Sequence, residues 1–306
     1  MKRLSKSMVV CFMAAVMMMT VGCQKEEIAP IIPDSPIIPD TPIIPDGTLP
    51  GLFSVSATKQ VHFSQGNLQY QASTNTWRFA EHQYDYVGTQ TADYCGFYGG
   101  NVSGSDNRNI SSTYNGWIDL FGWGTGSNPI LSNSNHEDYG VFVDWGCNPI
   151  SNAGNIANRW RTLTKSEWYY LFNSRTDALS KCGTGNINGV GGLIILPDSW
   201  TLPSECSFTS GFSTFYDGSD GPYWPHNSYT LAQWAQMEAA GAVFLPAAGY
   251  REGRNVFLVG FEGVYWSSTP IDEDGHAIGM EFFTYNYVFY WRSPTVGFSV
   301  RLVQDN

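Results

Sequence analysis

Between Pro30 and Asp46 the chain writes the word Pro-Ile-Ile-Pro-Asp three times, as Pro30–Asp34, Pro36–Asp40 and Pro42–Asp46, with a period of six. Each proline fixes its own φ and removes a backbone donor, so neither a helix nor a sheet ladder can run through this stretch. Prolines at this density favour the polyproline II conformation. At about 3.1 Å per residue, residues 24–50 reach on the order of 80 Å when extended. The segment reads as a semi-rigid stalk, with a PxxP ligand as the alternative. It confines any packed core to the residues C-terminal to it, so the expected organisation is 1–22, 23–50 and a globular domain over 51–306.

The residues before the stalk define an export signal. Lys2, Arg3 and Lys6 form a basic start, followed by an apolar run from Met8 to Met19. A membrane-spanning helix needs about 20 apolar residues, so this run has the layout of a signal peptide instead. It ends in Thr20, Val21, Gly22 and Cys23. Small residues before a cysteine resemble a bacterial lipobox, in which Cys23 is lipidated and becomes the mature N-terminus; Thr20 stands where that pattern usually has Leu. The Gln24, Lys25, Glu26, Glu27 run resembles the acidic export signal of Bacteroidetes-type surface lipoproteins. The implied location is the outer membrane, held by lipid chains alone.

Removal of residues 1–22 takes away three positive charges and no negative ones, moving the formal net charge from −11 to −14. Such a surface repels phosphate backbones, which excludes nucleic acid as a natural partner. Aromatic residues make up 15% of the chain and charged residues only 14%. That balance suits a recognition surface, and equally a β-rich core. Cys95, Cys147, Cys182 and Cys206 could form two disulfides with three connectivities, and no pairing is assigned. No cysteine or histidine spacing suggests zinc.

Local patterns place two helices. Thr164 can cap a helix over Thr164–Asn173, with Glu167 three residues later and Trp168, Leu171 and Phe172 on one face. A second fits Thr230–Ala240, with Leu231, Trp234 and Met237 at helical spacing. Strand-like runs fall at Lys59–Phe63, Leu68–Gln71, Thr76–Phe79, Leu193–Leu196, Trp200–Leu202, Ala242–Pro246, Val264–Ser267, Ala277–Phe283, Tyr287–Trp291 and Phe298–Val303. Two helices, many short strands and long irregular loops predict an α+β fold with function carried on loops.

Five segments together resemble a known family: Trp160–Trp168, Leu196–Trp200, Phe244–Tyr250, Gly263–Thr269 and Gly297–Val303. The combination is similar to the Fibrobacter succinogenes major paralogous domain, found in lipoproteins of gut bacteria. That family is similar to the formylglycine-generating-enzyme branch of the C-type-lectin-like fold. The resemblance covers most of residues 51–306. It implies a C-type-lectin-like fold with two helices, small twisted antiparallel sheets and long loops. It also implies structural roles: Trp266 and Tyr250 in the core, Gly249, Gly263 and Gly297 at tight turns, and Arg292 and Arg301 paired with carboxylates or carbonyls.

Enzymatic chemistry is not expected. The formylglycine-generating enzymes use cysteines close to the C-terminus, whereas no cysteine follows Cys206 here, and Leu302 and Val303 stand where one would be expected. No GxSxG, Walker A loop, HExxH or EF-hand spacing is present. His62, His82, His136, His226 and His276 are scattered. The acidic runs His136–Asp138 and Asp272–Asp274 lack the alternating ligands of a calcium loop. No metal and no cofactor is predicted.

The last forty residues mix family-like positions with irregular ones. If Ala277, Ile278, Met280 and Phe282 pack inward, strand alternation turns Gly279 and Glu281 outward; Tyr285, Tyr290 and Trp291 are then also exposed. The texture resembles the variable region of proteins diversified by retroelements, where adenine-directed mutation rewrites codons of a C-type-lectin-like gene. An asparagine codon mutated at adenines does not reach Glu281 or Trp291. The expected ligand-binding residues are Asp272, Asp274, His276, Gly279, Glu281, Tyr285, Asn286, Tyr290 and Trp291. The expected partner is a protein or glycan at the cell surface, as for an adhesin. An envelope protein without a specific ligand and an enzyme with an unrecognised site are the alternatives. Clustered exposed aromatics favour the first reading, a uniformly polar face the second, and a deep pocket with buried carboxylates the third.

Overall fold

In the computed structural model the fold begins inside the proline repeat. Asp46, the last residue of the third copy, accepts hydrogen bonds from the Thr48 amide (3.1 Å) and hydroxyl (2.5 Å) and pairs with Arg159 (3.0 Å). Leu49 is already buried, and its amide donates to the Phe63 carbonyl. The packed chain therefore starts a few residues before the expected position 51. The structure describes residues 46–88, 106–213, 224–270 and 272–306. The signal segment, Cys23, the first two repeats, Cys95 and Ile271 lie outside the described residues, which all belong to one unit, Ile38–Asn306.

The described strands are short. They are β1 (Phe53–Ser54), β2 (Gln60–Phe63), β3 (Leu68–Gln71), β4 (Thr76–Phe79), β5 (Arg161–Thr162), β6 (Cys182–Ile187), β7 (Val190–Ile195), β8 (Ser228–Tyr229), β9 (Val243–Pro246), β10 (Tyr250–Glu252), β11 (Asn255–Phe257), β12 (Gly263–Trp266), β13 (Ala277–Phe282), β14 (Tyr287–Arg292) and β15 (Leu302–Asp305). With α1 (Lys165–Tyr169) and α2 (Leu231–Ala239) they make a mixed α+β architecture. Sheet orders are β1-β2-β15-β5, β8-β6-β7-β9 and β12-β13-β14, with two-stranded pairs β3-β4 and β10-β11. β15 joins the domain's last residues to its first strands, with Val303 opposite Phe63 and Asp305 opposite Val61.

Both helices start where their capping residues dictate. Thr164 and Glu167 form a reciprocal capping box at α1, and Thr230 and Gln233 form another at α2, each satisfying amides that the first helical turn leaves open. α1 continues as a π-helical turn over Tyr170–Ser174, so its length matches the expected helix while its hydrogen bonding does not. Trp168, Leu171, Phe172, Trp234 and Met237 are buried as their spacing requires. α2 stops at Gly241, whose φ of +98° suits glycine and where an added Cβ would lie 2.8 Å from the Gly51 Cα.

Two local expectations are corrected. Trp200–Leu202 forms no strand. Of Phe298–Val303 only the end is ladder; Phe298 and Ser299 make single bridges, to Phe121 and Tyr265. Conversely, β6 and the start of β7 are glycine-rich and look like loop, because glycine disfavours strands. Here a Cβ at Gly185 would lie 2.5 Å from the Asn227 carbonyl oxygen, and one at Gly192 would lie 2.4 Å from that of Leu245. Close backbone approach, which only glycine allows, explains these strands. Cys147, Cys182 and Cys206 carry free thiols, so two disulfides are not formed.

Two large aromatic cores flank the β12-β13-β14 sheet. One gathers Phe53, Phe63, Trp168, Phe172, Tyr265 and Phe282; the other gathers Trp77, Phe121, Trp123, Trp145, Trp266 and Phe298. Of eleven tryptophans, eight are buried and only Trp291 is exposed. The aromatic composition therefore mostly builds core. As a test of the capping argument, Thr230→Ala should cost about 1 kcal/mol, lowering the melting temperature by roughly 2–4 °C for a domain of this size. Thr230→Ser should restore most of it in the same thermal melt.

Candidate ligand-binding surface

The three-stranded sheet is antiparallel throughout. Tyr265 pairs with Met280 and Trp266 with Gly279, while Met280 pairs with Phe289 and Gly279 with Tyr290. Opposed residues share a face. One face, with Tyr265, Met280, Phe282, Tyr287 and Phe289, lies on the first core; the other, with Val264, Trp266 and Ala277, lies on the second. β13 is therefore buried along its whole length. Gly279 and Glu281 do not face outward as alternation alone predicts, because a central strand between two cores has no solvent face. A Cβ on Gly279 would meet Phe298 at 3.1 Å and Val264 at 3.3 Å.

Exposure is confined to the edge strand β14 and the turn before it. The turn closes with the Phe283 amide donating to the Asn286 carbonyl (2.9 Å), leaving Thr284 and Tyr285 at the tip. Tyr285 is 39% exposed, Tyr290 52% and Trp291 45%, while Asn286 is half-buried. On one flank, α1 supplies Lys165, whose ammonium lies 5.3 Å from the centroid of the Trp291 ring, and Tyr169, which packs on Phe289 at 6.1 Å and is 51% exposed. The Lys165 amide donates to the Thr269 hydroxyl (2.8 Å), tying the helix start to the loop after β12.

The other flank is ionic. The Arg292 guanidinium lies over the Tyr290 ring at 4.6 Å, donates to Glu281 at 2.6 Å and stands 3.9 Å from Glu262. Glu262 is 1% exposed and its Oε1 has no hydrogen-bond partner. Burial, and then the neighbouring Glu281, push its carboxyl up to about 8. Glu262 is thus protonated at neutral pH, and Glu281 with Arg292 form the charged pair.

The loop before β13 has its own logic. The Asp272 carboxylate accepts from the His276 amide (2.7 Å), and the Asp272 carbonyl from the Gly275 amide (3.0 Å). Asp272 and His276 therefore shape a turn, while Glu273 and Asp274 stand in solvent. Ser293, just beyond β14, lies 3.1 Å from His136 Nε2, which brings exposed Glu137 and Asp138 to the same end. Among the described residues no group of three or more metal-ligating side chains comes together.

The structure thus unites Tyr285, Asn286, Tyr290 and Trp291 on one edge, sets Asp272, Asp274 and His276 at its end, and buries Gly279 and Glu281. Sequence reasoning misses Tyr169, Lys165 and Glu262. Tyr169 is legible, since it lies off the Trp168, Leu171, Phe172 face of its helix; Glu262 offers no local signal. Arg292 pairs with a carboxylate as expected, whereas buried Arg301 bonds to the side-chain oxygens of Gln83 and Asn67.

Residues 217–303, spanning α2 and this sheet, match a family described as a domain of unknown function (DUF8237). No curated protein and no solved structure matches the chain. Among the described residues, no helix is long and apolar enough to cross a membrane.

The buried carboxyl has a pH signature. A group that holds its proton more tightly folded than unfolded loses stability as pH rises between the two values, here from the ordinary 4.5 to about 8, and is flat above. Glu262→Gln should therefore match the parent near pH 4.5 and exceed it by on the order of 1–3 kcal/mol at pH 8, as read from urea unfolding at several pH values.

Proposed function

We propose that this chain is an exported, lipid-anchored surface protein that binds a protein or glycan ligand with the β13–β14 hairpin of a C-type-lectin-like domain. One observation carries the reading. Every large aromatic residue that is exposed among the described residues, Tyr169, Tyr285, Tyr290 and Trp291, lies on that hairpin or on the helix packed against it. The other aromatic side chains of the described residues are buried or half-buried. Tyrosine and tryptophan offer large contact area at low entropic cost and dominate binding hot spots. Such a concentration opposes the alternative of an envelope protein with no specific ligand. Two capped helices, small and largely antiparallel sheets and long irregular connections support the lectin-like reading of the fold. The lipobox-like Thr20–Cys23 and the proline stalk support surface display.

The direct test probes glycan arrays and intact-cell panels with the purified protein beside a Tyr290→Ala, Trp291→Ala double variant. The substitutions touch exposed positions, so stability should change by less than about 0.5 kcal/mol each, while binding should weaken at least about tenfold. Hits that survive unchanged in the double variant would remove β14 from the binding surface.

Diversification of this surface by a retroelement is part of the same proposal, and burial sharpens it. Deep sequencing of the 3′ end of the gene across one strain should find substitutions at the codons for Asp274, Tyr285, Asn286 and Tyr290. Gly279, Glu281 and Trp266 should be unchanged, because each is buried, Glu281 in its pair with Arg292. An invariant 3′ end would exclude the mechanism.

A further inference from the structure

Among the described residues β14 is a sheet edge and pairs only with β13. The bonded Phe283–Asn286 pair sets the alternation of the antiparallel ladder. Val288 and Tyr290 turn their backbone groups toward β13, whereas Tyr287, Phe289 and Trp291 turn theirs away. None of those outward groups meets a hydrogen-bond partner among the described backbone. Natural edge strands guard against pairing with prolines, lysines, bulges or brevity. The sequence Tyr-Val-Phe-Tyr-Trp-Arg uses none of these: its register to β13 is unbroken over six pairs, and its one charge, Arg292, is drawn back onto Glu281.

The charge around this edge is mostly acidic, with Lys165 over Trp291 and the Glu281-bound Arg292 as the neighbouring cations. Glu137, Asp138, Glu273 and Asp274 are all exposed, and no ion pair of the described residues involves any of them. They gather at one end. The Asp272–His276 loop leads directly into Ala277, which is opposite Arg292, and His136 touches Ser293. A partner lying along β14 would run from the Tyr285 tip to this acidic end.

We infer that β14 accepts an extended, basic peptide segment of a partner protein as a fourth strand of the β12-β13-β14 sheet. The inference rests on the reading of this hairpin as the binding surface and names what the surface takes. Main-chain bonds to Tyr287, Phe289 and Trp291 supply affinity, the exposed rings of Tyr290 and Trp291 cover alternate side chains, and lysine or arginine side chains meet the acidic end. These exposed carboxylates, of which only Asp138 is bonded, and that to the neutral amides of Asn133 and Asn135, argue for a cationic partner over a neutral or acidic one.

The test uses the full chain and an eight-residue peptide alternating Lys and Val, blocked at both ends. Controls are the Glu-Val analogue and the Lys-Val peptide N-methylated throughout, which keeps charge and side chains but removes main-chain donors. Fluorescence anisotropy should show both controls binding at least about tenfold more weakly, and the Lys-Val affinity should fall as salt rises. Amide hydrogen exchange supplies the second readout. Tyr287, Phe289 and Trp291 should exchange rapidly in the free protein and become protected when the Lys-Val peptide saturates it. Amides already protected in the free chain, protection through self-association, or no Lys-Val binding would each overturn strand addition. Binding that the Tyr290→Ala, Trp291→Ala variant abolishes but that leaves those amides unprotected would also overturn it, while the surface reading itself would stand.

Discussion

Two adjacent residues of β12 hold the molecule together. Tyr265 points into one aromatic core, where its hydroxyl donates to the Pro246 carbonyl (3.0 Å) and accepts from Asn67 (3.1 Å). Trp266 points into the other, and its indole donates to the Phe121 carbonyl (2.6 Å) while its ring packs on Phe298 at 4.2 Å. Strand pleating sends neighbours to opposite faces, so one short strand cross-links both cores. Each ring brings an apolar body and a satisfied polar tip, which suits a tightly packed interior. β13 is held between the same cores, and β14 is then presented as a paired strand and not as a loop.

Buried charge is handled differently in the core and at the surface site. Arg251 and Arg301 are fully buried without a carboxylate; Arg251 bonds to the Leu120 and Gly253 carbonyls and the Ser132 hydroxyl, Arg301 to Gln83 and Asn67. Desolvation pulls each down to about 10, still well above neutral pH. Their rigid forks of donors satisfy carbonyls from separate segments at once. Beneath β14 the arrangement is two carboxyls to one guanidinium, resolved by a proton on Glu262. The result is a neutral floor under an aromatic edge, with the unneutralised carboxylates displaced to the strand's end.

Much of the fold is legible in short stretches of sequence. Thr164 with Glu167 and Thr230 with Gln233 set both helix starts, because capping is a matter of three or four residues. β3, β4 and the β13–β14 hairpin follow from local alternation and turn position. The exposure of Tyr285, Tyr290 and Trp291 is legible too. The direction of Gly279 and Glu281 is not, since period-two reasoning assumes one wet face, and here both faces are covered by residues more than a hundred positions away, such as Phe53 and Phe121. β6 escapes a local reading because its glycines serve contacts with Asn227 and other distant backbone.

The proline repeat, the helix caps, the acidic balance and the position of an aromatic-rich C-terminal hairpin are properties of the sequence alone. Each depends on covalent geometry, on composition or on neighbours a few residues apart. Tertiary packing was needed to settle that Gly279 and Glu281 are buried, that Glu262 joins Glu281 and Arg292, and that the His136–Asp138 and Asp272–Asp274 runs meet at one end of β14. Those outcomes depend on which distant surfaces cover a strand, and burial, not residue type, sets both exposure and protonation.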